Sequence, residues 1–93
     1  MKIFAYNVTI DRNGTQDEIG AFGKYHPITL KIQIASDLCK QQMESTLLHE
    51  IIEAVNSIMK LELNEQTIMI LEASFYQILT ENGIDLSKFE NLK

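Results

Sequence analysis

Ninety-three residues with 45% hydrophobic content and a net charge of −5 fit one folded domain and exclude disorder of the whole chain. The eight Lys and Arg residues form no run, which argues against a nucleic-acid surface, because displacing counterions needs clustered basic groups. Cys39 is the single cysteine and no apolar stretch approaches the roughly 20 residues of a membrane span, so the expectation is a reduced, cytoplasmic protein with no membrane partner.

The N-terminus, MKIFAYNVTI, lacks a small-residue cleavage site and reads as a strand instead of a signal peptide. Within it Phe4, Tyr6, Val8 and Ile10 alternate with polar or small residues. Asp11-Arg12-Asn13-Gly14 supplies turn chemistry. Residues 15–25 carry Gly20 and Gly23, and Ile19, Phe22 and Tyr25 are expected to pair as a short, bulged edge. Ile28, Leu30, Ile32 and Ile34 alternate after Pro27 and give the clearest strand signal in the chain.

From Lys40 to Lys60 the period becomes helical. With residues about 100° apart, Leu47, Leu48, Ile51, Ile52, Val55, Ile58 and Met59 share one arc. Leu38 falls outside it, so the helix starts later. Asn64 is suited to cap a second helix with Glu65 in its first turn, and Asn82-Gly83 to stop it. Ile84, Leu86 and Phe89 are expected to fold back on the core as a partly ordered tail over residues 84–93. The expected architecture is α+β: a small antiparallel or mixed sheet of about three strands followed by two packed helices, in one domain spanning residues 1–93.

The chemistry concentrates in Leu47-Leu48-His49-Glu50-Ile51-Ile52-Glu53. His49 and Glu53 are four apart and stack on one helical face, where both can ligate a divalent metal. Glu50 points about 100° away from His49, as the general base does in an HExxH helix. On the second helix Glu72 sits beside an apolar stripe of Ile68, Leu71, Phe75, Ile78 and Leu79, where a lone carboxylate is costly. An antiparallel pair of helices can bring His49, Glu53 and Glu72 to one point. The plainer reading makes His49 and Glu53 a surface pair worth about 0.2–0.5 kcal/mol and lets Glu72 reach water or bond to His49 or Tyr76. His26 is then a loop histidine before Pro27, the alternative being a rescuing metal ligand, and Asn56 and Lys60 are solvated.

The string TLLHEIIEAVN, followed after a short link by LEASFYQIL, resembles compact gluzincin-type metallopeptidase domains, and among them small bacteriophage and prophage proteins. The resemblance covers roughly residues 19–80. It implies a zincin-like fold with His49 as first zinc ligand, Glu50 as base and Glu72 as third ligand. Glu53 stands where that family has its second histidine. One histidine and two carboxylates leave a divalent site formally neutral, so bound water is acidified less and hydrolysis is slower. Oxygen-rich ligation also shifts preference toward harder metals such as manganese or iron(II). The function implied is a degenerate metal-binding domain with weak or specialised metal-dependent peptide hydrolysis. In that mechanism the ion polarises an amide carbonyl, Glu50 accepts a proton from the attacking water, and Tyr76, His26 or Lys60 steadies the oxyanion. The implied substrate or partner is an extended peptide along a strand edge. The alternative is an inactive pseudo-enzyme that binds a protein in the same cleft.

Overall fold

The computed structural model of the chain describes residues 1–88. The α+β expectation holds. A two-stranded antiparallel sheet joins β1 (Lys2–Ile3) to β2 (Tyr6–Asn7), and a three-stranded mixed sheet combines β3 (Thr9–Asp11), β4 (Gly23–His26) and β5 (Lys31–Ile34) in the order β3-β5-β4. A short helix α1 (Gln16–Ile19) lies between β3 and β4. Two longer helices, α2 (Lys40–Met59) and α3 (Glu65–Glu81), follow the sheet and pack on each other. None of the described helices is long and apolar enough to cross a membrane.

The N-terminal strand expected from its alternation is broken into three short strands, β1, β2 and β3. Phe4 takes φ 54° and turns the chain, so Lys2 pairs with Asn7 and Ile3 with Tyr6. The alternating pattern therefore mixes two structures: Ile3, Val8 and Ile10 are buried, while Phe4 and Tyr6 stand in solvent. Likewise β5 keeps only the second half of its predicted run. Ile32 and Ile34 are fully buried, but Pro27 to Leu30 form the loop of the β4–β5 hairpin, Leu30 adopts φ 53° and Ile28 is 94% exposed.

Gln16–Ile19 is helical, not a bulged edge. Thr15 accepts a hydrogen bond from the Glu18 N–H, and the Glu18 carboxylate accepts one from the Thr15 N–H, closing a capping box. Gly20 ends this turn at φ 80°. The expected edge strand starts only at Gly23.

β5 is the centre of the sheet, parallel to β3 and antiparallel to β4. Val8, Ile10, Ile32 and Ile34 from the sheet side close the core against Met43, Leu47 and Ala54 of α2. The buried face of α2 is rotated from the predicted arc toward Thr46 and Glu50, both under 10% exposed, while Met59 is 49% exposed. α3 packs outside α2 and fully buries only Ile68, leaving Ile70, Phe75 and Ile78 in solvent. Its caps match expectation: Asn64 Oδ1 accepts from the Thr67 N–H at 2.8 Å, and Gly83 follows the helix end at φ 83°. In the tail Leu86 is buried and its 3-10 turn packs on α2, whereas Ile84 is half exposed. Phe89 lies outside the described residues.

Gly23 sets how closely sheet and helix approach. A Cβ there would lie 2.6 Å from Thr46 Cγ2, 3.0 Å from the Gln33 carbonyl oxygen and 3.2 Å from Glu50 Cγ. Only a residue without a side chain lets β4 lie this near α2. Gly23→Ala is expected to destabilise the protein by about 1–3 kcal/mol through overpacking, measured by urea unfolding. A change below about 0.5 kcal/mol would show that the two elements separate freely.

Candidate metal centre

The site is built on the seam between α2 and α3. Asn56 fixes the link that joins them: its side chain accepts from the Leu63 N–H at 2.9 Å and donates to the Leu63 carbonyl at 3.4 Å. The sequence suggests a solvated residue at position 56; the structure makes Asn56 a clamp. With the link held, Glu65 in the first turn of α3 and Glu72 two turns later both face His49.

His49 is bracketed by these carboxylates. Its Nδ1 lies 2.8 Å from Glu72 Oε1, and its Nε2 lies 3.1 Å from Glu65 Oε1. Ser45 donates to the other Glu72 oxygen at 2.5 Å. A neutral ring that donates from Nδ1 to Glu72 leaves the Nε2 lone pair free, the arrangement in which a carboxylate orients a metal-binding imidazole.

His49, Glu53 and Glu65 each place one ligand atom within 4.8 Å of the others. The predicted pair His49 and Glu53 therefore comes together. Glu72 also reaches His49, but on the ring nitrogen opposite the one that meets Glu65. Glu65 was read only as a capping charge. Its spacing of seven residues from Glu72, which puts both on one face of α3, was the available signal.

Glu50 is 6% exposed and lies under Gly23. It takes part in no hydrogen bond among the described residues and lines the two cavities that meet at His49, of about 380 and 480 Å³. Burial pushes its pKa up from 4.5 to about 7; the His49 charge opposes this, and Glu53, Glu65 and Glu72 reinforce it. Burial and the Glu65 charge also raise Glu53, against the pull of His49. For His49 burial lowers the pKa, but the Glu72 hydrogen bond and the charges of Glu50, Glu65 and Glu72 outweigh it and leave the group raised.

The three oxyanion candidates lie apart from this cluster. His26 Nε2 bonds Gln33 Oε1 at 3.2 Å, Tyr76 donates to Glu44 at 3.4 Å, and Lys60 caps the end of α2 in a left-handed conformation. None of them lines the cavities around His49. Cys39 is an exposed thiol at the start of α2.

No family model, curated protein or solved structure matches the chain.

Two predictions arise from this geometry. In metal-free protein the raised Glu50 disfavours the fold as it ionises between pH 4.5 and about 7, a penalty of about 3 kcal/mol when complete. The raised His49 acts in the same direction, because its stabilisation is complete below its unfolded pKa of 6.5 and is lost as pH rises through the higher folded value. Unfolding free energy in urea should therefore fall from about pH 5 to pH 8, and Glu50→Gln should remove most of that slope. A slope that Glu50→Gln leaves unchanged would mean that Glu50 is solvated. Removal of the Asn56 clamp by Asn56→Ala is expected to cost about 1–2 kcal/mol, with Asn56→Asp, which keeps the acceptor for Leu63, losing less. Equal losses in the two variants would show that the acceptor bond carries nothing.

Proposed function

We propose that the chain is a zincin-like domain of the kind found in small phage and prophage proteins, with a degenerate divalent-metal site that supports weak or specialised peptide hydrolysis. The observation that carries this reading is the convergence of His49, Glu53 and Glu65 beside a buried, unpartnered Glu50. One imidazole nitrogen and two carboxylate oxygens suit zinc, and equally a harder ion such as manganese. A divalent ion held there supplies Lewis-acid polarisation of an amide carbonyl and of water.

The protein's own groups divide the remaining work. Glu72 and Ser45 hold the His49 ring in register. Glu50 has a pKa near 7, so it can accept a proton from water and return it to a leaving amine near neutral pH. Gly23 admits a substrate chain close to that carboxylate, and β4 borders the cavity.

A second reading is favoured by the contact of Glu65 with His49 Nε2. A protonated imidazole held between Glu65 and Glu72 satisfies both nitrogens without any metal, and the domain then acts as an inactive protein-binding module.

Calorimetric titration of chelator-treated protein with zinc and manganese separates the two. Metal binding is expected to be abolished by His49→Ala and weakened about 10–100-fold by Glu72→Gln, which removes the orienting partner. Glu50→Gln should keep metal affinity and lose any hydrolysis of a peptide library, while Glu53→His should raise zinc affinity. Zinc affinity indifferent to His49→Ala would sink the metal reading.

A further inference from the structure

Three cavities run end to end along α2. The one of about 340 Å³ beside Gln41 and Tyr76 shares Phe22, Ser45 and Thr46 with the next, which in turn shares Gly23, His49 and Glu50 with the third, beside Asn56 and Ser57. From Gln41 to Ser57 this groove extends about 24 Å, the length of roughly seven residues of extended chain.

One wall of the groove is the open edge of β4. Among the described residues β4 pairs only with β5. The Phe22 carbonyl accepts from the Ala35 N–H at 2.8 Å, in register with Gly23↔Ile34 and Tyr25↔Ile32. In an antiparallel ladder bonded and non-bonded pairs alternate. Phe22, Lys24 and His26 therefore turn their backbone groups toward β5, and the N–H and C=O groups of Gly23 and Tyr25 face the groove. At the same end the Tyr25 hydroxyl is buried without a hydrogen-bond partner.

The opposite wall and floor are acidic. Glu50, Glu53, Glu65 and Glu72 line the groove, and Lys24 is the single Lys or Arg among its lining residues. A divalent ion balanced by Glu53 and Glu65 still leaves the carboxyl groups of Glu50 and Glu72 on this wall. Glu50, 6% exposed and unpartnered, is a buried carboxylate facing this space.

We propose that the groove takes an extended, lysine- or arginine-bearing segment of a protein, its main chain paired to Gly23 and Tyr25 and its cationic side chains set against the glutamate wall. Strand addition supplies affinity independent of side chains, and the charge pattern selects the sequence. The inference rests on the reading of this groove as a peptide cleft and holds with or without the metal.

The test is fluorescence anisotropy with labelled octapeptides of one backbone design, bearing alternate Lys/Arg, Gln or Glu residues, on chelated and on zinc-loaded protein. The basic peptide is expected to bind at least about tenfold tighter than the neutral one, with affinity falling as salt rises. Methylating two alternate backbone nitrogens of the basic peptide should weaken it about tenfold or more, because strand pairing is lost. Lys24→Glu, on an exposed side chain, should tighten the basic peptide several-fold. Equal binding of basic and neutral peptides, indifference to backbone methylation, or no binding of any peptide overturns the proposal. Calorimetric zinc titration of the same samples without peptide reports on the metal reading alone, so the two failures are distinguishable.

Discussion

The hydrogen bond from His49 Nδ1 to Glu72 joins the two long helices, and the geometry of the site follows from it. α3 buries only Ile68 fully, so apolar contact does little to fix its rotation about α2. The polar seam does that instead. Ser45 holds one oxygen of Glu72, His49 holds the other, and the Asn56 clamp sets where α3 begins. A half-buried carboxylate left without these partners would be destabilising, which is why the seam specifies one helix register. Once that register is set, Glu65 falls one side of the imidazole and Glu72 the other.

A second constraint comes from the sheet. Gly23 lets β4 approach α2 so closely that Glu50 is shut off from most solvent. The same contact that raises the Glu50 pKa therefore brings an unpaired strand edge alongside it. Burial of the carboxylate and access for an extended chain are two consequences of one missing side chain. β4 is short and carries Lys24 on its exposed face, features that limit uncontrolled edge-to-edge pairing.

Much of this was legible in the sequence, for physical reasons that differ by element. The limits of α2 follow from long apolar periodicity and those of α3 from its caps, where Asn64 and Gly83 sit as their chemistry demands. His49 and Glu53 meet because spacing within one helix is rigid, whereas Glu72 reaches the far nitrogen of the ring and Glu65 takes the third place in the cluster. The N-terminal hairpin and the β4–β5 loop were hidden because Phe4 in the one and Leu30 in the other adopt positive φ, a conformation that no glycine or asparagine announces at those positions. α1 was announced, by Thr15 and Glu18 three residues apart, but at four residues it is too short to show a period. Glu65 was masked by its ordinary role in a first helical turn, since a charge that suits the helix dipole needs no further explanation.

The chemistry of the seam turns on one proton. With Nε2 protonated, His49 is an imidazolium held between Glu65 and Glu72, and the acidic cluster is satisfied from within. With Nε2 unprotonated, the same ring presents a lone pair toward Glu53 and Glu65, whose charges then have no internal counterpart. The carboxylates that raise the His49 pKa thus favour a proton on the nitrogen that a cation would need. A cation bound at this nitrogen would displace the proton, so occupancy of the site would depend on pH.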